Sequence, residues 1–127
     1  MKKNQCPCGS MLAAKQCCSA IHLNPKLARH PEQLMRARYS AHATGDLDFI
    51  LKSWHPSTRP ADADAIKTWN DSCAWLALNV AQSHKLGTKG VVEFVALYRQ
   101  SGQLKQHHEV ANFRFEKGRW WYLDRSD

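Results

Sequence analysis

The sequence predicts an α+β protein in which a small metal-stabilised head precedes a layer of helices and a curved, four-stranded antiparallel sheet. Three observations predict it: four cysteines within residues 6–18, helical periodicity between Pro31 and Trp69, and four β-rich runs after Cys73 separated by glycine-containing turns. Helices first and a meander last exclude an alternating α/β chain, whose parallel strands each need a crossover. At 127 residues, 43% hydrophobic and 23% charged, the chain supports one ordinary core plus an appendage.

The head comes first. Cys6-Pro7-Cys8 supplies one pair of thiols, Gly9-Ser10 permits a sharp turn, and Cys17-Cys18 brings a second pair eight residues later. Zinc takes four such ligands tetrahedrally, and four protein ligands leave no position for water or substrate, so one structural Zn²⁺ is expected on Cys6, Cys8, Cys17 and Cys18. Disulfides between the pairs, or a redox role, are the competing readings. Two lysines at the start are followed by no apolar run of seven residues, and no run approaches the eighteen needed to span a bilayer. A cytoplasmic location is therefore expected, where thiols stay reduced and metal is favoured over disulfides. Cys73 stands apart, as an inert half of no pair.

The composition changes near Asn24-Pro25, which divides the chain into a zinc module (1–24) and a body (25–127). Pro31 suits the first turn of a helix that carries Leu34, Met35, Arg38, Tyr39 and His42 at three- and four-residue spacing and ends at Gly45. Asp46 caps a second helix with Leu47, Ile50, Leu51 and Trp54 on one stripe, stopped by Pro56. A short third helix follows Asp62, with Ile66 and Trp69 inward. Strands are expected at residues 73–84, 91–100, 107–116 and 119–124, joined by consecutive hairpins.

The motif Cys-Pro-Cys-Gly-Ser, six residues and Cys-Cys resembles the SEC-C zinc module, whose last ligand is His or Cys. Members usually carry Gly-Lys-Lys-Tyr between the pairs, where this chain has Met11-Leu12-Ala13-Ala14-Lys15. Residues 32–39, then Trp54-His55-Pro56, Glu109, Phe113 and residues 120–124, are similar to the YchJ (UPF0225) family. The resemblance covers nearly the whole chain and implies a SEC-C module joined to an NTF2-like domain, a cone of helices wrapped by a bent sheet. Such domains include isomerases, dehydratases and hydrolases as well as binding modules, so the fold does not give the activity.

Strand parity places Glu109, Ala111, Phe113 and Phe115 on one face, so Glu109 points into or toward the rim of that cone. There it is a candidate general base, with His55 or Tyr39 assisting. The competing reading is an ion pair of Glu109 with Arg36 or Arg38, with His55 capping the helix it terminates. Trp120 and Trp121 point to opposite faces, and the outer one could serve homodimerisation through the open sheet.

Charge is uneven. Of the net +7, residues 1–38 carry +6: Lys2, Lys3, Lys15, Lys26, Arg29, Arg36 and Arg38 against Glu32. A basic head could meet a protein or ribonucleoprotein partner, with Lys2, Lys3 and Lys15 as contacts. The first expectation is therefore a zinc-binding, non-catalytic adaptor with a cone for an unknown small ligand. The alternative is a small-molecule enzyme of the isomerase, dehydratase or hydrolase type using Glu109. Direct RNA binding is weaker, since neither zinc-knuckle spacing nor a basic-aromatic strand motif is present.

Overall fold

Local chemistry at Pro31 and Gly45 sets the length of the helix on which both candidate sites are built. In the computed structural model, which describes residues 5–126, α1 spans Cys18–Leu23, α2 Pro31–Thr44, α3 Leu47–Lys52 and α4 Asp64–Asp71. His30 caps α2: its Nδ1 accepts from Glu32 N–H at 3.0 Å, while Gln33 Oε1 accepts from the His30 N–H at 3.0 Å. This is the reciprocal arrangement of a capping box with an imidazole in place of a hydroxyl. Gly45 closes the helix at φ +77°, a conformation that costs a side chain dearly and glycine little.

Asp46 caps α3 through Phe49 N–H, as expected. Phe49 and Ile50, rather than the full Leu47 to Trp54 stripe, are its buried residues, because α3 lasts only six residues and Trp54 already lies beyond its end. Asp62 accepts from Asp64 N–H one position ahead of the cap of α4, and Ile66 and Trp69 turn inward.

The sheet is antiparallel in the order β1 (Ala74–Leu86), β2 (Lys89–Gln100), β3 (Gln103–Glu116) and β4 (Arg119–Arg125). The strands overrun the sequence-based bounds, since the hairpin registers Leu86↔Lys89, Gln100↔Gln103 and Glu116↔Arg119 pair residues right up to the turns. Register shifts at Trp75/Ala77, Val80/Gln82 and Asn112/Phe113 mark bulges, which bend the strands and curl the sheet. Val92, Phe94 and Ala96 of β2, Glu109, Ala111 and Phe113 of β3, and Trp120 and Tyr122 of β4 form the concave face against α2.

Gly90 is where helix and sheet come closest: a Cβ there would lie 2.6 Å from Pro31 Cγ and 3.2 Å from Trp120. Backbone ties from Tyr122 N–H to Ser53 and from His55 N–H to Tyr122 hold the end of α3 against β4. Cys6, Cys8, Cys18 and Ile21 share one buried cluster with Leu34, Ala37, Ala41, Phe49 and Ile50, so the cysteine-rich segment packs directly on α2 and α3. No helix among the described residues is long and apolar enough to cross a membrane.

Candidate metal centre and ligand cavity

Two sites grow from opposite sides of α2. On one side, the loop after Cys6 folds back so that Cys6 N–H bonds Leu12 C=O at 2.8 Å, with Gly9 at φ +84° making the turn. The 3-10 turn Ala14–Gln16 and the start of α1 then deliver Cys17 and Cys18. The four Sγ atoms lie within 4.8 Å of one another, with Cys8 to Cys17 at 3.6 Å and Cys17 to Cys18 at 3.8 Å. Those separations are far beyond a disulfide bond of about 2.0 Å. They match the roughly 3.8 Å between sulfurs that a tetrahedral ion bonded at about 2.3 Å requires. The four cysteines can therefore hold a metal ion.

Neighbours support the cluster. Ser10 Oγ lies 3.2 Å from Cys17 Sγ, Ser40 Oγ lies 3.5 Å from Cys6 Sγ, and Arg36 donates to Cys8 C=O at 2.8 Å. The thiols are unequal. Hydrogen bonding from Cys18 pulls Cys8 well below the ordinary thiol pKa, whereas the same contact and burial push Cys18 up, and burial raises Cys17. A dication bound by the four sulfurs would hold them as thiolates. Cys73 is remote from this group, its thiol directed to Trp69 C=O at 3.2 Å.

On the other side of α2, between the helices and the concave sheet, lies a cavity of about 520 Å³. Its wall is mostly aromatic: Trp69 and Trp75 meet edge to face at 5.5 Å, Tyr39 packs against Trp75 at 6.0 Å, and Phe113 against Tyr122 at 5.7 Å. Glu109, 8% exposed, enters this wall from β3 as strand parity predicts. Its Oε1 accepts from His107 Nε2 at 2.9 Å and its Oε2 from the Tyr122 hydroxyl at 2.8 Å, with Arg125 3.9 Å away. Burial raises its pKa, but those two hydrogen bonds and the neighbouring positive charge outweigh burial and leave it below the usual carboxylate value.

The expected partners of Glu109 are therefore corrected. Arg36 pairs with Glu32 at 3.0 Å, one turn away on the side facing the cysteines. Arg38 donates to Ile50 C=O at 2.8 Å and to Ser53 Oγ at 2.6 Å, and its guanidinium lies 4.2 Å over the Tyr122 ring. His55 neither meets Glu109 nor caps α3. Its Nδ1 accepts from Ser57 N–H, so its Nε2–H donates to Glu116 at 2.7 Å, beside Trp121. The bend at Pro56 carries that imidazole to the far side of β4. Tyr39 does line the cavity, and burial pushes its hydroxyl up to about 12, which keeps it protonated.

A residue that sequence reasoning passed over is His42. Asn70 fixes its state: Asn70 Nδ2 donates to His42 C=O at 3.0 Å, which turns Oδ1 toward Trp75 Nε1–H at 2.9 Å and His42 Nδ1 at 2.8 Å. An amide oxygen only accepts, so His42 carries its proton on Nδ1 and leaves Nε2 bare. Burial, with the nearby Arg38 acting in the same sense, lowers the pKa of His42 to about 4, so this ring is neutral around pH 7. His42 follows Arg38 and Tyr39 at helical spacing, and His107 precedes Glu109 by two residues on the same strand face. Both were within reach of the periodicities already in use.

Of the partner contacts, Lys15 is exposed on the cysteine loop, and Lys2 and Lys3 lie outside the described residues. Trp121 faces away from the cavity but is covered by the Arg119 guanidinium at 3.5 Å and by His55 at 5.6 Å.

Comparison with known proteins agrees with this geometry. Residues 30–125 match the family model described as YchJ, middle NTF2-like domain. A UPF0225 protein of Bordetella pertussis is 39% identical, over 98% of this chain and 97% of its own length. A UPF0225 protein of Geobacter sulfurreducens is 35% identical, over 95% and 78%. The solution structure of a SEC-C motif containing protein from Rhodopseudomonas palustris superposes with a TM-score of 0.83 at 36% identity, covering 96% of this chain and 97% of that one. A crystal structure of a SEC-C motif containing protein from Psychrobacter arcticus gives 0.82 at 27% identity, covering 96% and 81%. With a curved antiparallel sheet around an aromatic cavity, a four-cysteine head and relatives matched over nearly the whole of this chain, the chain belongs to the YchJ (UPF0225) family.

Proposed function

We propose that the protein is a zinc-stabilised, non-catalytic binder of a small, largely apolar ligand held in the cavity of its NTF2-like body. The cavity carries this reading: about 520 Å³ walled by aromatic rings with few polar groups is the size and character of a small-molecule site. An all-sulfur tetrahedral set suits zinc, and buried Cys6, Cys8 and Cys18 make the ion part of the core that seats α2. Glu109 favours binding over turnover. A carboxylate with both oxygens engaged and its pKa lowered is a poor proton acceptor near neutral pH.

Native mass spectrometry of gently purified protein tests both halves at once. The expected spectrum shows the mass of one zinc ion and a retained organic molecule that collisional activation releases. A metal-only mass after saturation with a panel of small aromatic compounds rejects the ligand-binding half, and a metal-free mass with oxidised cysteines rejects zinc.

A second reading has its own support. The cysteine loop leaves Met11 74% and Leu12 52% exposed beside Lys15, an apolar and basic tip of the kind that docks a protein or ribonucleoprotein partner. Sedimentation with ribonucleoprotein fractions at low salt, lost in Met11→Asp and Lys15→Glu, is the expected result; variants that sediment like the unmodified chain reject it.

A further inference from the structure

Glu109 and Arg38, which both line the cavity, are not equally satisfied. Glu109 has a donor on each oxygen and Arg125 nearby. Arg38, 8% exposed, meets only neutral acceptors, the carbonyl of Ile50 and the hydroxyl of Ser53, and both are taken by the same Nη1. No carboxylate lies within ion-pair distance of it among the described residues, and its Nε and Nη2 make no hydrogen bond there. The faces of Tyr122 at 4.2 Å and of Trp54 at 5.1 Å lie against it, and Glu109 acts on it only through space, with no direct ion pair. Stacking of this kind offsets only part of what it costs to bury a cation. A buried guanidinium without a direct ion pair is therefore poised to accept an anion.

The same corner holds another donor in excess. The indole Nε1 of Trp54 is buried without an acceptor among the described residues. Both residues line the cavity, whose wall also carries the flat rings of Trp69 and Trp75. Burial accordingly drags the Arg38 guanidinium down to about 10, still a full cation near neutral pH.

We propose that the cavity selects a planar aromatic carboxylate, its carboxylate seated on the open Nε and Nη2 edge of Arg38 and its rings against Trp69 and Trp75. A guanidinium edge offers two parallel N–H groups that match the two carboxylate oxygens, and the anion supplies the direct ion pair that Arg38 lacks. This assignment rests on the cavity being a ligand site and goes beyond it by naming the charged group and its anchor.

The test compares two probes of nearly equal shape, 2-naphthoate and the neutral 2-naphthylmethanol, titrated calorimetrically into the zinc-loaded chain at pH 7. The expected result is that 2-naphthoate binds at least tenfold more tightly, and that this preference disappears in Arg38→Met while the alcohol keeps its affinity. Arg38→Lys is expected to keep part of the preference, since it retains the charge and loses the paired edge. Equal binding of the two probes overturns the proposal and leaves the cavity reading standing; no binding of either overturns both. Should Arg38→Met fail to fold, intermolecular NOEs in the unmodified protein decide: contacts from the naphthoate ring to Tyr122, Trp54 or Trp69 are expected, and contacts confined to the basic outer surface overturn the assignment.

Discussion

Replacing Gly90 with alanine tests how the site-bearing helix is seated. The backbone at Gly90 is not left-handed, so the substitution carries no intrinsic strain, and its whole effect comes from what the new methyl would meet. That methyl falls 2.6 Å from Pro31 Cγ, 2.9 Å from Pro31 Cβ and 3.2 Å from Trp120. Ordinary carbon contacts begin near 3.5 Å, so about 1 Å of movement is needed. The pyrrolidine ring is rigid and Pro31 is buried, hence the first turn of α2 or strand β2 must shift as a unit. Overpacking of this kind costs about 1–3 kcal/mol. At about 4 °C per kcal/mol for a chain of this length, Tm falls by roughly 4–12 °C. Differential scanning calorimetry measures it. In a Pro31→Ala background the cost shrinks, because the closest atom is gone, and the difference is the coupling between the two positions. Since α2 carries Arg38, Tyr39 and His42, naphthoate affinity falls alongside stability. An unchanged or raised Tm would refute this account, for glycine-to-alanine changes without a clash stabilise by restricting the unfolded chain.

Cys8→Ser removes one sulfur from a site with no spare ligand, so the variant is expected to lose its metal and more than about 3 kcal/mol of stability, read by elemental analysis and thermal melting. Full metal retention would show that three cysteines suffice. His42 makes stability pH-dependent: its pKa is about 4 when folded against 6.5 in the unfolded chain, so the unfolded state binds the proton first as pH falls. Stability attributable to His42 is complete above about pH 6.5 and is lost between there and pH 4, by up to about 3 kcal/mol. His42→Phe should flatten that part of the Tm profile, and an unaltered profile rejects the assignment. Glu109→Gln keeps the shape but forces an amide N–H₂ against His107 or Tyr122, both donors to the native carboxylate. A loss of about 1–3 kcal/mol with the fold preserved is expected by circular dichroism and denaturant titration; a variant as stable as its parent would mean that Glu109 is not held as described.

Much of this architecture was legible in the chain because its signals are local. Pro31 and Gly45 bracket α2, Asp46 starts α3, and glycine turns separate four strands, since each depends on the φ preferences or short hydrogen bonds of a few neighbouring residues. The four-cysteine cluster was legible for the same reason: a motif thirteen residues long already brings its thiols close enough to hold one ion. Parity along β3 was enough to send Glu109 inward.

What Glu109 and the arginines do was decided by tertiary structure alone. Helical spacing places Arg36 and Arg38 two residues apart, and only the packing of α2 between the cysteine head and the sheet sends one to Glu32 and Cys8 and the other to Tyr122 and Ser53. His55 was lost to the site because the chain turns at Pro56 and bridges to β4, a contact with Glu116 across 61 residues that no local pattern encodes. The satisfied carboxylate, the under-satisfied guanidinium and the neutral His42 are properties of side chains drawn from α2, α4, β1, β3 and β4. Ionisation and hydrogen bonding depend on every group within a few ångströms, and in this protein most of those groups are distant in sequence.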